Sequence, residues 1–223
     1  MSTRTFNWRQ VIMLLGYLLE IEAVFMALSS IVAFVYAESS QWFMLGSAGI
    51  TAVFGLALIL IGRGSAKQIG LREGYLIVSL VWVIFSIFGM LPFLLSGAID
   101  NVTDAFFETM SGFSTTGATI LTDVDHFPKG LLFWRALLQW LGGMGIMVFS
   151  MAVLPMFGSG MQIYMAEVPG PTYDKIQPRI KDTARKLWEV YMVLTLAAFL
   201  ALWAAGMEWF DAVCHAFTTM ATG

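Results

Sequence analysis

Five apolar runs, at about residues 11–36, 41–62, 74–97, 130–157 and 184–206, are each long enough to cross a bilayer core, which takes ~20 helical residues. Between the third and fourth runs the pattern changes. Residues 104–119, Asp-Ala-Phe-Phe-Glu-Thr-Met-Ser-Gly-Phe-Ser-Thr-Thr-Gly-Ala-Thr, predict a helix of only about 10 residues that ends in a Thr-Thr-Gly turn. Too short to span, such a segment enters and leaves by one face, and irregular backbone at that depth must line water or lie within protein. Gly117 is free to adopt backbone angles closed to other residues. The carbonyls of Ser114, Thr115, Thr116 and Gly117 can then point one way and replace the water shell of a cation.

The charges sort by side. Ten of the 12 basic residues occupy alternate loops: Arg4 and Arg9, then Arg63, Lys67 and Arg72, then Lys175, Arg179, Lys181, Arg185 and Lys186. By the positive-inside rule these loops and the N-terminus are cytoplasmic, so the 104–119 segment opens outward. The outward segments carry Asp100, Asp104, Glu108, Asp123, Asp125, Glu208 and Asp211, an acidic mouth that would concentrate cations. Asp104 and Glu108 stand four apart on one face of the short helix. Either Asp104 or Thr103 would cap its start, while its partly negative C-terminal end would aim at the ion.

An internal repeat extends the pattern. Setting Asp211-Ala212 against Asp104-Ala105 places His215 opposite Glu108, Thr222 opposite Thr115 and Gly223 opposite Thr116. The counterpart of Gly117 would follow immediately after Gly223, so the chain is expected to be the N-terminal part of a longer protein, ending inside a second filter.

Composition fits a polytopic membrane protein, with 58% hydrophobic and 12% charged residues. The first apolar run is too long for a signal peptide. Cys214 stands alone and reads as a small packing residue, so a disulfide within the chain is excluded. Arg135, five residues into the fourth run, needs headgroups or an acid. Glu108, on a helix that must pack there, would brace the filter from behind. Gly142, Gly143 and Gly145 are expected to serve close helix packing. Glu20 and Glu22, two apart, face different sides of the first span and await a neutralising change or a partner in a neighbouring helix. No Gly-rich phosphate loop, HExxH or paired-Asp motif is present, and nothing points to nucleic acid. A membrane serine hydrolase built on Ser114 with His126 or His215 is disfavoured: the glycine after the serine is missing and neither histidine falls in a spanning run. A secondary transporter with a midplane site is the remaining alternative.

Four ordered motifs resemble a known family: Asp104-Ala-Phe-Phe-Glu108, Ser114-Thr-Thr-Gly-Ala-Thr119, Gln139-Trp-Leu-Gly-Gly-Met-Gly-Ile146 and Met161-Gln-Ile-Tyr-Met-Ala-Glu-Val-Pro-Gly-Pro171. They are similar to the membrane subunit of Trk-type potassium uptake systems, in the Trk/Ktr-type transporter superfamily. The resemblance runs from about Arg72 onward, and residues 1–71 share only hydropathy and helix count. It implies an all-α protein built from helix–pore loop–helix units. Two N-terminal helices (1–71) would precede a first unit (72–157), a cytoplasmic loop (158–182) and the start of a second unit (183–223). It also implies potassium as substrate, held at Thr115, Thr116 and Gly117, with no cofactor or enzymatic activity. The expected setting is the bacterial inner membrane, as a homodimer when full length, in contact with lipid. A separate TrkA-like nucleotide-binding cytosolic subunit would dock on the loop and gate the pore.

Overall fold

The structure, a computed structural model, describes residues 6–64, 71–124, 126–157 and 176–222. Among these residues every regular element is a helix: α1 Trp8–Val35, α2 Ser40–Gly62, α3 Leu71–Gly89, α4 Leu91–Leu95, α5 Val102–Phe113, α6 Lys129–Phe157, α7 Ile176–Ala204 and α8 Trp209–Met220. Four stretches, Trp8–Val35, Ser40–Gly62, Arg72–Leu95 and Asp182–Ala204, are long and apolar enough to cross a membrane. The fourth apolar run forms α6, whose 29 residues reach about 43 Å at 1.5 Å per residue.

The third run is not one continuous helix. It breaks at Met90, between α3 and the five-residue α4, because Pro92 supplies no amide and its ring crowds the preceding turn. The carbonyl of Gly89 is taken instead by the indole of the fully buried Trp134 on α6, at 2.9 Å. The fifth run begins earlier than hydropathy indicates, since α7 starts at Ile176 on its polar side. The 161–171 motif, the basic residues Lys67 and Lys175, and the loop around Pro169 lie outside the described residues.

Helices α1 and α2 form an antiparallel hairpin held at small residues. A β-carbon on Gly16 would come 2.7 Å from the Gly55 carbonyl, and one on Gly62 would come 2.6 Å from that of Arg9. Such spacing lets backbones approach where lipid offers no hydrophobic drive. Outward side chains such as Phe34, Trp42 and Val53 are exposed, as a lipid-facing surface requires.

Contacts place the connections alternately at two ends. At one end the Asn7 amide donates to Glu73 and the start of α1 meets the end of α2, gathering Arg9, Arg63 and Arg72. At the other, Glu38 accepts from the amides of Lys129 (2.6 Å) and Gly130 (3.0 Å), capping α6 across the fold. There Tyr36 also stacks on Trp209, and the Lys129 ammonium sits over the rings of Tyr36 and Phe210, 3.7 Å from Glu208. Helix α6 is central and touches α1, α5, α7 and α8.

Candidate functional site

Helix α5 is twelve residues long and is preceded by Asn101, whose side chain accepts from the Thr103 amide at 2.8 Å. The cap is therefore Asn101. Asp104 lies in the first turn and Thr103 is exposed, so neither makes the cap anticipated from sequence. The inward face of α5 carries Ala105, Thr109 and Phe113, all buried, with Phe113 stacked on Phe85 of α3 at 5.0 Å.

At its C-terminal end the helix unwinds into a tight turn. The amides of Ser114, Thr115, Thr116 and Gly117 all bond back, to the carbonyls of Met110, Gly112, Ser111 and Ser111 in that order. Thr115 and Gly117 have φ of 60° and 76°, whereas Ser114 has −75°. Thr115 thus occupies the left-handed region that a β-branched residue rarely enters. Alternation of hand turns successive peptide planes so that like groups face one way. With the donors consumed, the groups left over are carbonyl oxygens: none of those of Ser114, Thr115, Thr116 and Gly117 accepts a described hydrogen bond. Such a turn offers hard oxygen ligands to a cation.

The turn is pinned from behind. Glu108, with no exposed side-chain surface, accepts from Arg135 Nε of α6, from the Thr119 hydroxyl (2.9 Å) and from the Ile120 amide (2.9 Å). One carboxylate therefore joins α5, the segment leaving the turn and α6. The Ser111 hydroxyl adds a 2.6 Å bond to the Ala118 carbonyl. Arg135 does not snorkel; its side chain is 18% exposed and turned to the acid. Glu108 is accordingly a buried brace and does not open to the mouth beside Asp104.

The second copy repeats the geometry. Helix α8 is also twelve residues, and its next residue, Ala221, has φ −79° and ψ −6° against −75° and 2° at Ser114. Thr222 has φ 63°, and its amide bonds to Thr219 as that of Thr115 does to Gly112. Thr115 and Thr222 line one cavity of about 330 Å³, together with Gly143, Tyr191 and Ala221. The structure therefore brings the two turns together beside α6. Gly223 and Asp125 lie outside the described residues.

The remaining sequence-selected residues scatter. Asp123 is exposed and pairs with His126 at 2.8 Å, Asp211 is exposed on α8 and Asp104 is half-buried. The Ser114 hydroxyl bonds to the Thr116 hydroxyl and the Ser111 carbonyl, while the His126 ring pairs with Asp123. No group of three or more metal-ligating side chains occurs among the described residues. Glu20 and Glu22 do face different helices: Glu20 lies against Gly55 of α2 and Glu22 against Gly89 of α3. Among the described residues Glu20 Oε1 and both Glu22 oxygens have no hydrogen-bond partner, which for Glu22 leaves the neutralising change of the two alternatives. Among the described residues a β-carbon on Gly145 would meet nothing within 4 Å, and the close contacts of this stretch belong to Gly142 and Gly143.

A family model described as a cation transport protein, TrkH, matches residues 39–223. The Trk system potassium uptake protein TrkH of Halomonas elongata is 42% identical over 96% of this chain and 45% of its own length. That of Escherichia coli K12 is 42% identical over 97% and 46%. The crystal structure of the potassium transporter TrkH from Vibrio parahaemolyticus superposes with a TM-score of 0.82 at 37% identity, covering 95% of this chain and 42% of that one. The chain spans about half the length of the curated relatives it matches. It is a multi-pass, all-helical membrane protein, and it belongs to the TrkH family of cation transport proteins.

Proposed function

We propose that this chain supplies part of a potassium uptake pathway across the bacterial inner membrane, with the carbonyls of residues 114–117 as one section of its selectivity filter and Thr222 and Gly223 as the start of another. The observation that carries this reading is the turn in which four amides are tied back and four carbonyls are left unclaimed, set beside a second turn of the same hand. The relatives named as Trk system potassium uptake proteins support potassium as the ion. The basic loops would lie in the cytoplasm with the N-terminus, and the acidic mouth of Asp104, Asp123, Asp125 and Asp211 would face outward. Inward flow would be driven by the membrane potential, about 2.3 kcal/mol per charge for each 100 mV. Gating by a TrkA-like nucleotide-binding subunit at the 158–182 loop, a homodimeric full-length protein and lipid contact at the basic cluster belong to the same proposal.

The test is Gly117→Ser in the full-length protein, expressed in a strain lacking its own potassium importers. A β-carbon at φ 76° would twist the turn, so the protein should reach the membrane while rubidium uptake loses its advantage over sodium. An unchanged ion preference at normal protein level would remove residues 114–117 from the filter.

A further inference from the structure

Gly142 and Gly143 touch different things. A β-carbon on Gly142 would overlap the carbonyl of Phe113, the last residue of α5 before the first turn. One on Gly143 would stand 3.1 Å from the α-carbon and 3.3 Å from the β-carbon of Ala221, the residue that leads into the second turn. Phe113 and Ala221 are one step apart in the repeat, so consecutive glycines on a single helix receive corresponding ends of the two short helices. Gly145, on the same stretch, meets nothing among the described residues.

The two contacts differ from general helix packing in what they resist. Backbone cannot rotate away as a side chain can, and the Phe113 and Ala221 backbones run directly into Ser114 and Thr222. A carbon inserted at either position must therefore push the start of a turn, or α6 itself, by several tenths of an ångström or more. Helix α6 also holds Arg135 against Glu108 and, through Trp140 and Tyr191, the inner side of α7. Those ties keep α6 from moving away, so a carbon added at either glycine strains the backbone that leads into the turn. Gly143 lines the cavity that Thr115 and Thr222 share.

We propose that Gly142 and Gly143 are positioning residues for ion selection: with no side chain, they fix how closely the first and second turns approach each other across α6. This rests on the reading of residues 114–117 as filter. Ring-like coordination depends on oxygen positions to a fraction of an ångström, so spacing between sections matters as much as the shape of each.

The experiment compares Gly142→Ala, Gly143→Ala, Gly145→Ala and Gly117→Ser in the full-length protein by the ratio of rubidium to sodium uptake, which does not depend on how much protein is present. Gly142→Ala and Gly143→Ala should each lower the ratio, by roughly tenfold for the former, and Gly145→Ala should leave it unchanged. Gly143→Ala with Tyr191→Phe separates the two neighbours of that position, because the added carbon also stands 2.8 Å from the Tyr191 hydroxyl. The ratio should stay low in this double variant. Its return to normal would place the effect in α7 and overturn the proposal. So would unchanged ratios in both alanine variants while Gly117→Ser alters the ratio. Failure of both to reach the membrane while Gly145→Ala does would equally overturn it, since the glycines would then serve only folding. If Gly117→Ser itself has no effect, the filter reading falls first and this inference with it.

Discussion

The two short helices α5 and α8 have the same length and lead into residues of matching backbone angles with a left-handed threonine second, yet the side chains around them differ. Around α5, Glu108 is buried and binds α6 and the exit segment at once, and Phe113 stacks on Phe85 of α3 while its backbone meets Gly142 of α6. At the matching place in α8, His215 is exposed and no side-chain bond of its ring is described. What α8 shares is the inner face: Ala212 and Ala216 are as fully buried as Ala105 and Thr109. The backbone angles shared by the first two turn residues therefore follow from the local chain and one packed face, and in the first copy Arg135 and the exit segment add a brace.

The largest test of that difference is at the paired positions Glu108 and His215. Glu108→Gln leaves Arg135 buried without its counter-charge, a loss of about 3–5 kcal/mol for a buried pair broken on one side. His215→Gln on an exposed position should stay within about 0.5 kcal/mol. Folded yield and thermal midpoint of the detergent-solubilised full-length protein report both. The exchange of Glu108→Arg with Arg135→Glu should recover part of the loss, and a purely additive double variant would show that the two side chains do not act together. A His215→Gln loss as large as that of Glu108→Gln would break the comparison, because the second copy would then be braced as firmly as the first.

A smaller contrast lies at the helix starts. Asn101 caps α5 through its side chain, whereas Glu208, at the same place before α8, makes no cap bond and instead lies 3.7 Å from Lys129. Asn101→Ala should cost about 1 kcal/mol. Glu208→Ala removes only an exposed ion pair, worth up to about 1 kcal/mol and reduced by salt. Thermal midpoints at low and high salt separate them: the Asn101 effect should persist and the Glu208 effect should fade. Equal salt dependence would mean that Glu208 acts as a cap after all.

These contrasts mark where sequence was informative. Apolar runs are summed over many residues, so four of the five expected spans could be read directly. The Glu108–Arg135 contact was legible because a charge at membrane depth demands a partner, and Glu108 lay on a short helix that had to pack against α6. The cap was not, since Asn101, Thr103 and Asp104 are all competent caps and only the backbone selects among them. The break at Met90 follows from Pro92, but a hydropathy window averages over it. Gly142, Gly143 and Gly145 are chemically the same residue. Which of them meets another backbone depends on the rotation of α6, a tertiary fact with no local signature. Thr115 was the least accessible of all, because the intrinsic preference of threonine points away from the angles it adopts.

That strained threonine gives the smallest and most symmetrical prediction. Thr115 and Thr222 sit at φ 60° and 63°, with their amides bonded to the residue three back in both copies. Glycine has no β-carbon to crowd the carbonyl in that region, so Thr115→Gly and Thr222→Gly should each relieve strain. The flexibility that glycine adds to the unfolded chain offsets part of the gain. The net change should be below about 1 kcal/mol and of the same sign in the two variants, because the term concerns backbone angles that the copies share. Thermal midpoints of the two full-length single variants measure it. Opposite signs, or a change confined to Thr115→Gly, would show that the Glu108 brace and not the local chain holds Thr115 in its left-handed state, and the common geometry of the two turns would then have two separate causes.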